Sequence, residues 1–414
     1  MNLKLHKPTQ QIKGDIHLPG SKSISNRILM IKVLSGFNFL IENLSDSDDT
    51  THLKDALENY TKNAIINIGH AGTDMRFLTA YLALKKGDYE LTGSERLQQR
   101  PIKDLVDTLR ILGADITYKN KEGFPPLQIK GKQLQGGSVE ISGKVSSQFI
   151  TALLLIAPYL THGLELTIKD ELVSKPYVHM TIELMKEFGA SVVWLENKIV
   201  VEPIQYTYHK KEFIVESDWS AVSYYYSIVA LSKINTQLTV KSLFKNSLQA
   251  DSACANIYKN FGVETTFKNN EITISKISEV STSELELDFL ECPDIAQTVV
   301  CTSVGLQTPF RFSGLQTLKV KETDRIIALQ NECKKIGIVL KVTNDSIKWS
   351  AEQSIKKEIS TSIATYNDHR MAMSFATLSI LLDDIIIEDA NVVSKSYPQF
   401  WEHLKTIGIN QTQL

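Results

Sequence analysis

The sequence is poor in the features of secreted, metal-binding and membrane proteins. Its 414 residues include only 4 cysteines, none in a C-x-x-C pair or near histidines at metal-site spacing. The longest apolar run, residues 149–160, is too short to span a bilayer and contains Pro158. Residues 1–20 lack the apolar core of a signal peptide. We therefore expect a cytoplasmic protein in a reducing compartment, with no bound metal and no membrane association.

An excess of one charge is also missing. Lysine and arginine number 45 against 47 aspartates and glutamates, a net charge of -2. Sequence-independent nucleic-acid binding needs a broad basic field, so we expect no nucleic-acid partner. Any anionic ligand must be held by local clusters. With 43% apolar and 22% charged residues, the composition is that of a globular protein with about two or three cores.

A helix, a glycine and a strand recur in that order along the chain. The clearest copies are residues 100–118 and 175–194, where apolar residues at helical spacing precede Gly113 and Gly189. Three further copies are residues 249–267, 321–340 and 397–409, and residues 48–60 form a weaker first copy that lacks the glycine. This order is common to many α/β folds, but the similar lengths favour six units in two lobes. We predict a first lobe at 20–216, a second at 1–19 plus 217–414, and a ligand in the cleft between them.

In the N-terminal half, polar and cationic groups stand at predicted helix starts. LPGSKSISNR, residues 18–27, combines serines with Lys22 and Arg27, all donors that suit an oxyanion. In GHAGTDMRFL, residues 69–78, Gly72 lets the backbone approach a ligand. Arg100 precedes a helix whose dipole disfavours a cation, which indicates an anion there. SSQ at 146–148 and VSKPY at 173–177 add hydroxyls and an amide. Each segment alone is explained equally well by helix capping.

The C-terminal half contains the motifs with the most chemistry. CPDIAQT around Asp294, KVKETDR at 319–325, YNDHRMAM at 366–373 and Lys395 mix both charges between apolar residues. We expect the charges of KETDR to lie in one helical turn. Carboxylates beside cations acquire the shifted pKa values that acid–base catalysis needs, although solvated ion pairs would give a similar pattern.

Together and in this order, the motifs resemble the 5-enolpyruvylshikimate-3-phosphate (EPSP) synthase family over essentially the whole chain. The resemblance implies an α/β (α+β) fold, a two-lobed inside-out α/β barrel. Each lobe would have three repeated βαβαββ units, with the active site in the interlobe cleft. The implied reaction transfers the enolpyruvyl group of phosphoenolpyruvate to shikimate 3-phosphate, in the shikimate pathway to chorismate, with no cofactor and in a monomer.

The resemblance also implies the site residues. Those for shikimate 3-phosphate are Lys22, Ser23, Arg27, Ser146, Ser147, Gln148, Ser174, Tyr177, Asp294, Thr317 and Lys321. Those for phosphoenolpyruvate are Lys22, Gly72, Arg100, Gln148, Arg325, Arg370 and Lys395. The catalytic residues are Asp294, Glu322, Lys22 and His369. Asp294 is the expected base for the ring 5-hydroxyl, and Glu322 the expected acid for carbon 3, with Lys22 as an alternative proton shuttle.

The sequence departs from the family pattern at a few positions. His70 and Thr317 replace usual asparagines, Asp74 replaces a small residue, and Phe77 replaces a proline. We expect Asp74 and Phe77 to alter sensitivity to glyphosate, which competes near Gly72. The sister transferase acting on UDP-N-acetylglucosamine uses a loop cysteine, and no cysteine precedes Cys254 here, so that alternative is poor. A non-catalytic anion-binding protein on the same scaffold stays open.

Overall fold

The computed structural model describes residues 1–59, 64–144, 146–172, 174–280, 283–356 and 360–414. The chain divides into two compact units. Residues Gly20–Val215 form one, called here the inserted unit. The other, called the terminal unit, consists of Met1–Pro19 and Glu216–Leu414. None of the described helices is long and apolar enough to cross a membrane.

Two strands precede the inserted unit, β1 (Leu3–His6) and β2 (Lys13–Ile16). The strands of the inserted unit are β3 (Leu40–Glu42), β4 (Ile65–Asn67), β5 (Gly87–Thr92), β6 (Asp115–Tyr118), β7 (Leu127–Gly131), β8 (Gly137–Ser142), β9 (Leu164–Lys169), β10 (Val192–Leu195), β11 (Lys198–Val201) and β12 (Glu212–Ile214). Its helices are α1 (Lys22–Ser35), α2 (Asp48–Asn59), α3 (Gly72–Leu84), α4 (Glu95–Gln98), α5 (Lys103–Ile111), α6 (Ser147–Ile156) and α7 (Lys175–Glu187).

The remaining elements belong to the terminal unit. Its further strands are β13 (Gln237–Lys241), β14 (Val263–Lys268), β15 (Glu271–Lys276), β16 (Leu285–Asp288), β17 (Phe310–Ser313), β18 (Lys341–Val342), β19 (Ile347–Trp349), β20 (Thr361–Ile363), β21 (Asp384–Ile387) and β22 (Gln411–Gln413). Its helices are α8 (Trp219–Leu231), α9 (Cys254–Ile257), α10 (Ala296–Gly305), α11 (Arg325–Lys335), α12 (His369–Ala376) and α13 (Phe400–Thr406).

Five four-stranded sheets share one pattern of pairing: a parallel pair at one edge, then two antiparallel pairs. Their strand orders are β4-β5-β7-β6, β8-β9-β11-β10, β2-β13-β15-β14, β16-β17-β19-β18 and β20-β21-β1-β22. In a sixth, two-stranded sheet, β3 and β12 form a parallel pair. Register follows burial: Leu238 and Val240 of β13 lie opposite Ile274 and Ile272 of β15, all buried. The predicted α/β fold with repeated units is confirmed.

Buried helices form the core of each unit. In the terminal unit, α10 contacts α8 and α12, and nearly every side chain of α8 and α10 is buried. In the inserted unit, α6 contacts α1, α3 and α7. Helices that are apolar around their whole circumference are stable only when surrounded by protein. The sheets therefore cover a helical core in each unit, and the starts of these core helices bring the functional residues into position.

Two local predictions differ from the structure. The helix expected within residues 249–262 is reduced to α9, four residues long and flanked by 3₁₀ turns. Asp251, Ser252 and Asn256 favour local hydrogen bonds over a continuous helix there. The KETDR charges do not share a helical turn, because α11 begins only at Arg325. Asp324 caps it by accepting a hydrogen bond from the Ile327 N–H.

Candidate active site

In the inserted unit, Arg27 is buried among neutral hydrogen-bond acceptors. Its Nε donates to the Thr181 hydroxyl at 2.8 Å, and its Nη atoms donate to the carbonyl oxygens of Ser23 at 2.7 Å and Tyr177 at 3.2 Å. Burial lowers its pKa to about 10, opposed weakly by Tyr177. Three of the predicted shikimate 3-phosphate residues, Ser23, Arg27 and Tyr177, are thus in direct contact.

Lys22 lies in a chain of polar groups near the start of α1. Its ammonium donates to Asp49 Oδ2 at 2.9 Å. One turn further, the amide of Asn26 donates to Asp74 Oδ1 at 2.9 Å. Asp74 is fully buried, and burial, then repulsion from Asp49, raise its pKa well above the usual range against the opposing effects of Lys22 and Asn26. The carboxyl group of Asp74 is therefore harder to ionise than that of an exposed aspartate.

Gly72, Arg100 and Gln148 are neighbours, as a shared ligand requires. A Cβ placed on Gly72 would lie 2.2 Å from Arg100 Nη1, so only glycine lets this guanidinium lie against the backbone. The Gln148 amide donates to the Thr73 hydroxyl at 3.0 Å, beside Gly72. Arg76 fixes the same turn, since its Nη1 donates to the Gly72 carbonyl at 2.9 Å.

The remaining predicted residues of this unit stand at helix starts. The Ser146 hydroxyl caps α6 by accepting from the Gln148 N–H at 3.3 Å, and Ser147 is the first residue of that helix. Ser174 precedes α7 with a φ of 60°, and its side chain makes no cap hydrogen bond. Val173, the first residue of the VSKPY motif, lies outside the described residues. His70 is exposed and hydrogen-bonds Ser94.

In the terminal unit, Arg325 joins three carboxylates. Its Nε and Nη2 donate to the two oxygens of Asp368 at 2.7 and 3.3 Å. Its Nη1 donates to Asp294 at 3.1 Å and its Nη2 to Glu322 at 2.9 Å. The guanidinium is buried, and so is Asp368. We call Arg325, Asp294, Glu322, Asp368, Arg370 and Lys395 the charged cluster.

Asp294 is held by cations on several sides. Arg370 Nη2 donates to its Oδ2 at 3.1 Å, and the Lys321 ammonium lies 3.4 Å from its Oδ1. Burial alone would raise its pKa, but Arg370, Lys321 and Arg325 together lower it well below the usual range. Asp294 is therefore an ionised carboxylate at neutral pH.

Glu322 has a similar environment. The Lys395 ammonium donates to its Oε1 at 2.6 Å, opposite the Arg325 contact. Burial is again the largest influence and raises the pKa, but Arg325, Lys395 and the nearby His369 lower it well below the usual range. His369 is buried at the first position of α12. Glu322 thus serves as counter-ion to two cations predicted to bind phosphoenolpyruvate.

Thr317 is separate from these contacts. In the part of the chain that the structure describes, its buried hydroxyl has no hydrogen-bond partner. A buried polar atom without a partner is costly in a folded protein. The position therefore suits a ligand oxygen, as the resemblance implies for shikimate 3-phosphate.

Sequence reasoning assigned no role to three acidic residues of these sites. Asp49 pairs with Lys22, and Asp368 pairs with Arg325. Asp251 accepts from the Ser220 hydroxyl, which also accepts from Arg370. Burial, followed by the charge of Asp294, raises the pKa of Asp251 to about 7. Asp368 could have been predicted as a site residue from its position inside the NDHR motif. No motif near Asp49 or Asp251 indicated a role for either residue.

Comparisons with known proteins agree with this geometry. A family model described as EPSP synthase (3-phosphoshikimate 1-carboxyvinyltransferase) matches residues 6–60 and 55–404. A 3-phosphoshikimate 1-carboxyvinyltransferase of Bacteroides fragilis is 49% identical over 96% of either chain. That of Photobacterium profundum is 34% identical over 97% of this chain and 98% of its own. In fold, the chain is similar to EPSP synthase from Acinetobacter baumannii, with a TM-score of 0.79, 21% identity and full coverage of both chains.

Proposed function

Because this chain belongs to the EPSP synthase (3-phosphoshikimate 1-carboxyvinyltransferase) family, we propose that it transfers the enolpyruvyl group of phosphoenolpyruvate to the 5-hydroxyl of shikimate 3-phosphate. The products are 5-enolpyruvylshikimate 3-phosphate and phosphate, in the shikimate pathway to chorismate and aromatic amino acids. The observation that carries the proposal is the charged cluster, in which Arg325 contacts Asp294, Glu322 and Asp368 together. It supplies both anion-binding cations and carboxylates able to exchange protons.

The binding roles follow from the partners of each cation. Arg27 is held by neutral oxygens, so its charge is available to the phosphate of shikimate 3-phosphate. Its neighbours Ser23 and Tyr177, with Ser174, complete that set. Phosphoenolpyruvate is assigned to Arg325, Arg370 and Lys395, and to Gly72, Arg100 and Gln148. Cations around both substrates offset the repulsion between their anionic groups.

Asp294 is the proposed base. The ring hydroxyl attacks carbon 2 of phosphoenolpyruvate while its proton passes to the Asp294 carboxylate. In the free protein the pKa of Asp294 is held low by cations, which makes it a weak base. An anionic substrate that engages Arg370 and Arg325 weakens this hold, so binding raises the basicity of Asp294.

Glu322 is the proposed acid. It must carry a proton to protonate carbon 3, yet Arg325 and Lys395 keep its pKa low in the free protein. When the carboxylate and phosphate of phosphoenolpyruvate replace Glu322 as partners of these cations, the effect of burial dominates and its pKa rises. Substrate binding thus loads Glu322 with the proton that the addition step consumes. His369 lies beside it, and Lys22 is the alternative shuttle.

The second step completes the reaction. Carbon 3 of the tetrahedral ketal returns a proton to Glu322 as the bond from carbon 2 to the phosphate oxygen breaks. Phosphate leaves with the proton that Asp294 took from the ring hydroxyl, so both carboxyl groups return to their starting states. No bond to the protein forms in either step. The four cysteines are buried and free of disulfides, which supports a reducing compartment such as the cytoplasm. The monomeric state stays a prediction.

The test is phosphate release from purified protein. We expect release only when shikimate 3-phosphate and phosphoenolpyruvate are both present, and a fall of at least about a hundredfold in kcat for Glu322→Gln. Folded protein that binds both anions without turnover would instead support the anion-binding alternative. Normal turnover by Glu322→Gln would rule out its role as the acid.

A further inference from the structure

The segment leading to the Asp368, His369 and Arg370 motif has an unfavourable backbone conformation. Tyr366 and Asn367 both have a φ of 55°. Asparagine adopts this left-handed region more readily than most residues, but a bulky residue such as Tyr366 does so only where surrounding contacts fix it. The next residue, Asp368, caps α12 and pairs with Arg325. The placement of the motif therefore depends on whatever holds this turn.

A buried carboxylate on α11 makes the holding contacts. Glu332 is fully buried, and its Oε1 accepts from the Tyr366 hydroxyl at 2.7 Å. Its Oε2 accepts from the Ala364 N–H at 3.0 Å. These two bonds hold Ala364, two residues before the turn, and Tyr366, the first residue within it. From the surface, the Lys335 ammonium also lies 2.7 Å from Glu332 Oε2.

Helix α11 therefore holds this segment at two points. Arg325, its first residue, binds Asp368 directly after the turn, and Glu332, about two helical turns further, binds the start of the turn. The helix itself has other supports, since Asp324 caps it and Ile326, Leu329 and Cys333 are buried. Loss of the Glu332 contacts should loosen the turn more than it loosens the helix.

We propose that Glu332 is a positioning residue, which holds the Tyr366–Asn367 turn so that Asp368 and Arg370 meet Arg325 and Asp294. Its kinetic consequence rests on the proposed function, in which Arg325 and Arg370 bind phosphoenolpyruvate. A loosened turn lets Arg370 leave Asp294, where its Nη2 lies 3.1 Å from the carboxylate. The affinity for phosphoenolpyruvate should fall more than that for shikimate 3-phosphate, whose phosphate is assigned to Arg27.

The test uses Tyr366→Phe, Glu332→Gln and the double variant. Tyr366→Phe removes the hydroxyl that donates to Glu332. In Glu332→Gln one side-chain oxygen can still accept a hydrogen bond, but the NH₂ group that replaces the other oxygen faces a donor and cannot accept from it. We expect the KM for phosphoenolpyruvate to rise about tenfold in each, with a smaller change in the KM for shikimate 3-phosphate. The effects in the double variant should be less than additive, because both changes remove the same contact.

Lys334→Ala is the matched control, since it removes an exposed cation from the same helix but leaves Glu332 and its partners in place, and it should leave both KM values unchanged. Amide hydrogen exchange provides a readout independent of turnover: residues 364–368 should exchange faster in Glu332→Gln than in wild type or Lys334→Ala. Unchanged exchange and an unchanged KM would overturn the proposal. An inactive wild type with accelerated exchange in the variant would instead refute the proposed function and keep the positioning role.

Discussion

The central arginines of the two units, Arg27 and Arg325, are held differently. In the inserted unit, Arg27 is surrounded by hydroxyl and carbonyl oxygens, and burial lowers its pKa. In the terminal unit, Arg325 is in contact with three carboxylates, which raise its pKa despite its burial. A cation with neutral partners keeps its charge for a ligand. A cation paired with carboxylates must be released by the ligand, which couples binding to protonation.

The largest expected effect comes from removing each guanidinium in turn. Arg325→Met leaves the buried Asp368 and the partly buried Asp294 and Glu322 without their common partner, and should destabilise the protein by about 3–5 kcal/mol. Arg27→Met loses hydrogen bonds to neutral groups but also removes a buried charge, and should cost only about 1–2 kcal/mol. Urea unfolding near neutral pH measures both changes.

The exposed Arg311, 3.8 Å from Glu286, is the control, and its replacement by alanine should change stability by less than about 0.5 kcal/mol. Equal losses for Arg27→Met and Arg325→Met would contradict the comparison. They would show that burial of the guanidinium outweighs the nature of its partners.

A second expectation concerns protons. In the proposed mechanism phosphoenolpyruvate displaces Glu322 from Arg325 and Lys395, so its binding should raise the pKa of Glu322 and take up as much as about one proton. The measurement is calorimetric titration of a phosphonate analogue of phosphoenolpyruvate, in buffers of different ionisation enthalpy, with shikimate 3-phosphate present. Glu322→Gln should lose this uptake while any proton exchange by the ligand itself persists. Equal uptake by both proteins would mean that the cations are not released from Glu322.

The repeated units and most cations of the two candidate sites could be predicted from the sequence, because both are marked by short motifs of neighbouring residues. Helical spacing before Gly113 and Gly189 marked α5 and α7, whose bounds the structure gives as Lys103–Ile111 and Lys175–Glu187. The pairing within the charged cluster had no local signal. Arg325 and Asp368 are 43 residues apart, and only the packing of α11 beside α12 brings them together. Glu332 likewise had no local signal, because Tyr366, whose hydroxyl it binds, lies 34 residues away in the sequence.

The smallest expected effect distinguishes Asp74 from the carboxylates of the charged cluster by the sign of its pH dependence. Lowered pKa values of Asp294 and Glu322 contribute stability that is present above the unfolded value of about 4 and is lost as pH falls. The raised pKa of Asp74 acts in the opposite direction, since its contribution is present at low pH and is lost as pH rises through the folded value. Asp74→Asn cannot ionise and still accepts from Asn26.

The variant should therefore gain stability relative to wild type as pH increases, by about 1 kcal/mol or more between weakly acidic and alkaline solution. Urea midpoints across that pH range measure the gain, and Asp55→Asn, at an exposed position of α2, should show none. A difference that stays constant or shrinks with pH would mean that Asp74 is ionised in the folded protein. Asp74 would then be a counter-ion like Glu322, and the contrast between the two units would not extend beyond their arginines.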